Sequence, residues 1–131
     1  MHFYKKTLGK EERLKSKKLI DDLFRDGQIL NNSPFRILYK VCDNNSDFEF
    51  PAKIAVSVSK KKFKRAVDRN RIKRKMREAY RNNKTDLYNF LDQKGKRLYF
   101  FVIYMDKNDL DYTDIEKKMK NSVKKLITQL S

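Results

Sequence analysis

Residues 53–81 read KIAVSVSKKKFKRAVDRNRIKRKMREAYR. Its opening alternates: Ile54, Val56 and Val58 fall on one side of an extended chain, and Ala55, Ser57 and Ser59 on the other. That is the two-residue period of a strand with one apolar face and one small face. From about Ala66 the period becomes helical. Ile72, Met76, Ala79 and Tyr80 recur at i, i+4, i+7 and i+8, a stripe suited to packing on a sheet. Arg69, Lys73 and Arg77 run beside that stripe, with Asn70, Arg74 and Arg81 next around the cylinder. Further on, Leu98 to Met105 (LYFFVIYM) is a continuous β-prone run that reads as a central strand buried on both faces. Strand, helix, strand implies a parallel pair joined by the basic helix.

Working outward, Ser16 can cap a short helix whose Leu19, Ile20, Leu23 and Phe24 share one face. Gly27 sits where a left-handed residue would end it. Phe35, Ile37, Tyr39 and Val41 alternate with Arg36, Leu38 and Lys40, a second strand entered through Pro34. Gln28 to Leu30 reads either as its beginning or as a separate short strand. Asp43 to Asp47 (DNNSD) has turn chemistry. The polar stretch up to Arg97 shows no regular element. Thr113 and Glu116 form a capping box for a last helix with Ile115, Met119, Val123, Leu126, Ile127 and Leu130 inward. The expected fold is α+β in two layers, with helices on one side of a small sheet. It forms one domain, 1–131, with residues 1–12 extended or flexible.

Charge narrows the function. Lys and Arg number 33 and Asp and Glu 17, a net +16 over 131 residues. Residues 60–81 hold 12 basic side chains against Asp68 and Glu78, a net charge of +10. Solvated helix faces usually mix signs at i,i+4, whereas like charges recur here, which favours a polyanion. Such a run can follow a phosphate backbone and displace its counterions. Other classes fall away. Cys42 is the only cysteine and His2 the only histidine, which excludes a Cys-based zinc site, a disulfide and a Ser-His-Asp triad. Asp21, Asp22, Asp109, Asp111 and Asp114 read as caps and solvated faces, so no catalytic residue and no metal site is assigned. The longest apolar run is far short of a membrane span, and Met1 to Lys18 lacks a signal-peptide core. A reducing, cytoplasmic setting without a membrane follows as an expectation.

The string Ser57-Val58-Ser59-Lys60-Lys61, then Arg69-Asn70-Arg71-Ile72-Lys73-Arg74 and Arg77-Glu78, resembles the protein subunit of bacterial ribonuclease P. Arg13-Leu14-Lys15, Leu23-Phe24-Arg25-Asp26-Gly27 and Phe35 to Tyr39 are also similar to that family. The resemblance implies a sandwich like the second domain of ribosomal protein S5, with a left-handed β-α-β crossover. It implies a protein that binds the catalytic RNA and the 5′ leader of precursor tRNA and assists endonucleolytic removal of the leader. Catalysis would belong to the RNA, with Mg²⁺ held mainly there, and no further protein partner is called for. RNA contacts carried over by position are Lys60, Lys61, Lys64, Arg65, Arg69, Asn70, Arg71, Lys73, Arg74 and Arg77. A leader cleft would be floored by Ile20, Phe24, Phe35, Ile37, Tyr39, Ser57 and Ser59, where rings stack on unpaired bases whatever their identity. Phe24, Phe35 and Ile37 read equally well as ordinary core, because alternation marks faces without saying which is wet. The family often has phenylalanine in place of Ile20 and a glycine in the loop that here runs Lys62 to Asp68. A ribosomal or assembly RNA-binding protein of similar fold is the rival; a self-sufficient nuclease lacks a nameable acid–base pair.

Overall fold

The computed structural model describes residues 5–43 and 50–131. Its elements are α1 (Lys17–Asp26), β1 (Gln28–Asn32), β2 (Phe35–Asp43), β3 (Ala52–Val58), α2 (Ala66–Asn83), α3 (Thr85–Lys94), β4 (Lys96–Tyr104) and α4 (Tyr112–Leu130), preceded by a single 3-10 turn at Lys10–Glu12. The sheet order is β1-β2-β4-β3. β1 and β2 form an antiparallel hairpin, β2 pairs antiparallel with β4, and β3 runs parallel to β4. The Leu98–Met105 run is thus the centre of the sheet. The basic helix belongs to the β3–β4 crossover, as the sequence pattern requires. Gln28 to Leu30 belongs to a strand of its own. The turn expected at Asp43 to Asp47 lies, beyond Asp43, outside the described residues.

The main core lies between one sheet face and α2, α3 and α4. Phe35, Ile37, Tyr39, Ile54, Val58, Phe100, Val102 and Tyr104 meet Ile72, Met76, Ala79 and Tyr80 there, joined by Leu87, Leu91, Met119 and Val123. Burying a large apolar side chain is worth about 1.5–3 kcal/mol, against a few tenths for a like-charge i,i+4 pair. The α2 stripe therefore outweighs the self-repulsion of its basic face.

Several expectations are corrected. Helices lie on both faces: α1 crosses the second face, where Leu23 packs with Leu14, Leu38 and Tyr99, and Leu19, Ile20, Phe101 and Ile103 add to the cluster. Ser16 does cap α1, its Oγ accepting from Leu19 N. Gly27 is not left-handed, with φ −69°. Its small size is needed because a Cβ would stand 2.5 Å from Leu23 O. The polar stretch before Arg97 contains α3, which buries Leu87, Tyr88 and Leu91 and ends at Gly95, φ 64°. α4 begins after Asp111, and no side chain caps it. Glu116 instead accepts from Asn83 Nδ2 at 2.7 Å. The amino-terminal segment is fastened over its described part: Leu8 packs on the core, Glu12 is buried, and Leu14 N donates to Ile54 O. A buried carboxylate with partners is the physical reason that this stretch does not hang free.

Candidate nucleic-acid interface

The sequence places two basic stripes on α2, and the fold gives them different surroundings. Arg71 and Lys75 turn toward the loop between β4 and α4. There Asp109 receives Arg71 Nε at 2.8 Å and Lys75 Nζ at 2.9 Å, and Arg71 also meets Asp68 at 2.9 Å. Burial raises the Asp109 carboxyl, but the hydrogen bonds from Lys75 and Arg71 outweigh it and leave the pKa below the ordinary 3.8. Asp68 is lowered as well, first by its bond from Arg65. Arg69, Lys73 and Arg77 form the other stripe. Arg69 donates to Phe63 O and Lys64 O, both at 2.8 Å, and so braces the loop that enters the helix. Lys73, Arg74 and Arg77 have no carboxylate partner among the described residues, and neither do Lys60, Lys61 and Lys64. Asn70 is exposed between the stripes. Arg65 is engaged with Asp68.

Arg77 leads to residues that the sequence pattern did not single out. It lines a recess of about 190 Å³ with Arg13 and Lys15, over Leu14, Ile54 and Ala55. Burial, and then the charge of Arg13, lowers the Arg77 pKa from the ordinary arginine value. Two guanidiniums share that recess with no acid in its lining, and Glu78 of the adjoining hollow is taken by Arg81, which leaves the electrostatic signature of an anion site. Arg13 and Lys15 were visible only within the family likeness at Arg13-Leu14-Lys15. Their approach to Arg77 depends on a tertiary contact, the bridge between Arg13 and Ile54.

The open sheet face supplies the groove. Strand register sets Arg36, Ile103 and Ser57 in one row and Leu38, Phe101 and Ala55 in the next. Ile20 and Phe24 of α1 stand over them; Phe24 is 57% exposed and meets the Phe101 ring edge-on at 5.2 Å. Ser59 follows β3, where its Oγ accepts from Lys61 N. Phe35, Ile37 and Tyr39 are corrected: they are 2%, 1% and 3% exposed and belong to the core on the opposite face. β2 pairs with β4 so that Phe35 lies opposite Tyr104 and Leu38 opposite Phe101, which puts the even-numbered residues of β2 in the groove. Ser59 lies in the loop beyond β3, so the structure brings Ile20, Phe24 and Ser57 to one side and adds Leu38, Phe101 and Ile103. The unbroken apolar run hid the last two, because it has no alternation to read.

The profile of the family described as ribonuclease P matches residues 8–127. The chain belongs to the ribonuclease P protein family. A Porphyromonas gingivalis protein, ribonuclease P protein component, is 35% identical over 118 residues, covering 88% of this chain and 83% of that one. A Petrotoga mobilis protein of the same description is 37% identical over 125 residues, covering 92% and 95%. Among solved structures, the RNase P protein from Thermotoga maritima superposes with TM-score 0.64 at 26% identity, covering 87% of this chain and 96% of that one. The Staphylococcus aureus RNase P protein shares the fold, with TM-score 0.67 at 22% identity over 88% and 94%. The family's α+β architecture is thus the one described above, with the basic helix in the parallel crossover.

Proposed function

We propose that this chain grips RNA on two contiguous surfaces, the acid-free stripe of α2 and the groove under α1, as the protein subunit beside a catalytic RNA. A subunit role in tRNA 5′ maturation follows from membership of the ribonuclease P protein family. The finer reading is that the basic stripe takes phosphates of the ribonuclease P RNA. Phe24, Phe101, Ile103 and Ser57 take the unpaired 5′ leader of precursor tRNA. The observation that carries it is the segregation on α2: Arg71 and Lys75 are engaged by Asp109, while Lys73, Arg74 and Arg77 are left for an outside anion. Lys60, Lys61 and Lys64 extend that surface along the loop. Phosphate contacts of this kind fix register and supply most of the affinity, and stacking accepts any base.

Hydrolysis falls to the RNA, and Mg²⁺ to sites on it. The acids near the basic face do not make a ligand set, because Asp68, Asp109 and Glu78 are each committed to arginine or lysine. No helix among the described residues is long and apolar enough to cross a membrane, and a cytoplasmic setting suits the substrate. The test is cleavage of a 5′-extended precursor tRNA at low Mg²⁺, with the chain alone, a bacterial ribonuclease P RNA alone, or both. Cutting at the mature 5′ end is expected to be enhanced only with both. Lys73→Ala/Arg77→Ala is expected to weaken binding and lower the log–log salt slope by about 1.4 to 1.8, the share of two phosphates. Cutting by the chain alone, or no enhancement with a matched RNA, would sink the proposal; the second result points to a ribosomal-type binder.

A further inference from the structure

Glu12 and Lys84 form a buried ion pair, 2% and 1% exposed. The Glu12 carboxylate also accepts from Tyr88 Oη at 2.7 Å and from Gly9 N at 2.9 Å, and the Lys84 ammonium donates to Thr7 O as well. Apart from the local Gly9 bond, these contacts tie residues 7–12 to the α2–α3 junction and the first turns of α3. A buried ion pair is a weak source of stability, because apolar side chains of equal volume often hold a fold as well. What it specifies is position: one carboxylate must meet one ammonium and one phenol at a single register.

That register matters for the next residue. Arg13 pairs with Ile54 at the β3 edge, and Leu14 N donates to Ile54 O at 2.8 Å. Arg13 then stands in the recess beside Arg77, whose pKa its charge helps to lower. Like charges repel, and Arg13 is itself exposed, so its place beside Arg77 depends on its neighbours: buried Leu14 on one side and buried Glu12 on the other. We propose that the Glu12–Lys84 pair is a latch that positions Arg13: it fixes residues 7–14 against β3, so that Arg13 and Arg77 each meet an RNA phosphate at the recess. The proposal rests on the RNA-binding reading above. Glu12 and Lys84 are positioning residues that act through Arg13, and neither reaches the surface.

The test measures the salt dependence of the full chain's affinity for a bacterial ribonuclease P RNA loaded with 5′-extended precursor tRNA. Arg13→Ala is expected to lower the log–log slope by about 0.7–0.9, one phosphate's share. Glu12→Gln/Lys84→Met removes both charges at near-constant volume. At temperatures where circular dichroism shows it folded, it is expected to lose the same slope. Adding Arg13→Ala to it should then change affinity less than about twofold, since coupled residues are non-additive. Amide exchange at Leu14 should quicken in the double variant while the amides of α4 keep their protection. A full salt slope, full additivity with Arg13→Ala, or unchanged Leu14 exchange overturns the latch. If the double variant does not fold, Glu12→Gln alone keeps the volume and one acceptor, and the same comparisons decide. An unchanged slope in Arg13→Ala alone would remove the Arg13 contact and the latch with it. Failure of the RNA-binding reading itself is distinguishable, because the unmodified chain would then show no salt-dependent affinity at all.

Discussion

Phe24 is 57% exposed against the edge of Phe101, whereas Phe35 is 2% exposed and meets the Tyr104 ring at 6.3 Å. Both rings were candidates for the groove, and alternation in residues 35–41 was plain in the sequence. Which side of that alternation is wet was not legible. It depends on α2 and α4 covering one face completely and α1 covering the other only in part, a tertiary choice no local period encodes. The two rings should therefore respond differently to truncation. Phe35→Ala is expected to cost about 3–5 kcal/mol in a urea melt, as for a buried ring. Phe24→Ala should cost about 1 kcal/mol or less, since it loses an edge contact and little burial. It should weaken affinity for precursor tRNA by about 1–3 kcal/mol only when a 5′ leader is present, which is the worth of one stacked base. Equal loss with leaderless tRNA would show that Phe24 does not touch the leader.

At the scale of the element, the start of α2, its inward stripe and its charge were readable in the sequence, but its end at Asn83 was not. The partner of its second stripe was not, because Asp109 comes from a loop 38 positions beyond Arg71. α3 was missed although Leu87, Tyr88 and Leu91 keep the same i, i+1, i+4 spacing that revealed α1. The spacing there is diluted by polar neighbours and lacks a capping serine. The Asp68–Arg71–Asp109–Lys75 chain has a pH signature. Both carboxyls have folded pKa values below the ordinary 3.8, so their stabilising contribution is complete above that value. It is lost as pH falls through the lowered folded values. The contribution of this group to the melting temperature should therefore be full and constant between about pH 7 and pH 5, and fall away below about pH 4. Asp109→Asn should shrink that acid-side fall and, by releasing Arg71 and Lys75, raise the salt slope of RNA binding at neutral pH. An unchanged acid limb in Asp109→Asn would mean that the bridge adds nothing to stability.

For the whole molecule, the central β4 strand and its parallel partner were legible because an eight-residue apolar run rich in aromatic and β-branched residues favours a strand covered on both faces. The fastening of residues 7–14 was not, since Glu12 reads as one more surface acid until Lys84 and Tyr88 surround it. The same chain carries a net charge of +16, and the structure gathers much of it on one side of α2 and at the Arg13–Arg77 recess. Self-repulsion on that scale opposes the compact state, and any anion that binds the folded form alone opposes unfolding in turn. Sulfate has the tetrahedral oxygen geometry of an RNA phosphate and carries one negative charge more. At about a hundredfold over its dissociation constant it would add about 2.7 kcal/mol, worth several degrees for a chain of this size. The melting temperature is expected to climb with the logarithm of sulfate concentration, well beyond sodium chloride of equal ionic strength. Arg77→Ala should take away part of that excess, because it removes one wall of the recess while leaving the sheet and helices intact. If chloride at matched ionic strength does as much as sulfate, the charge is merely screened, and the cluster holds no specific anion in the free protein.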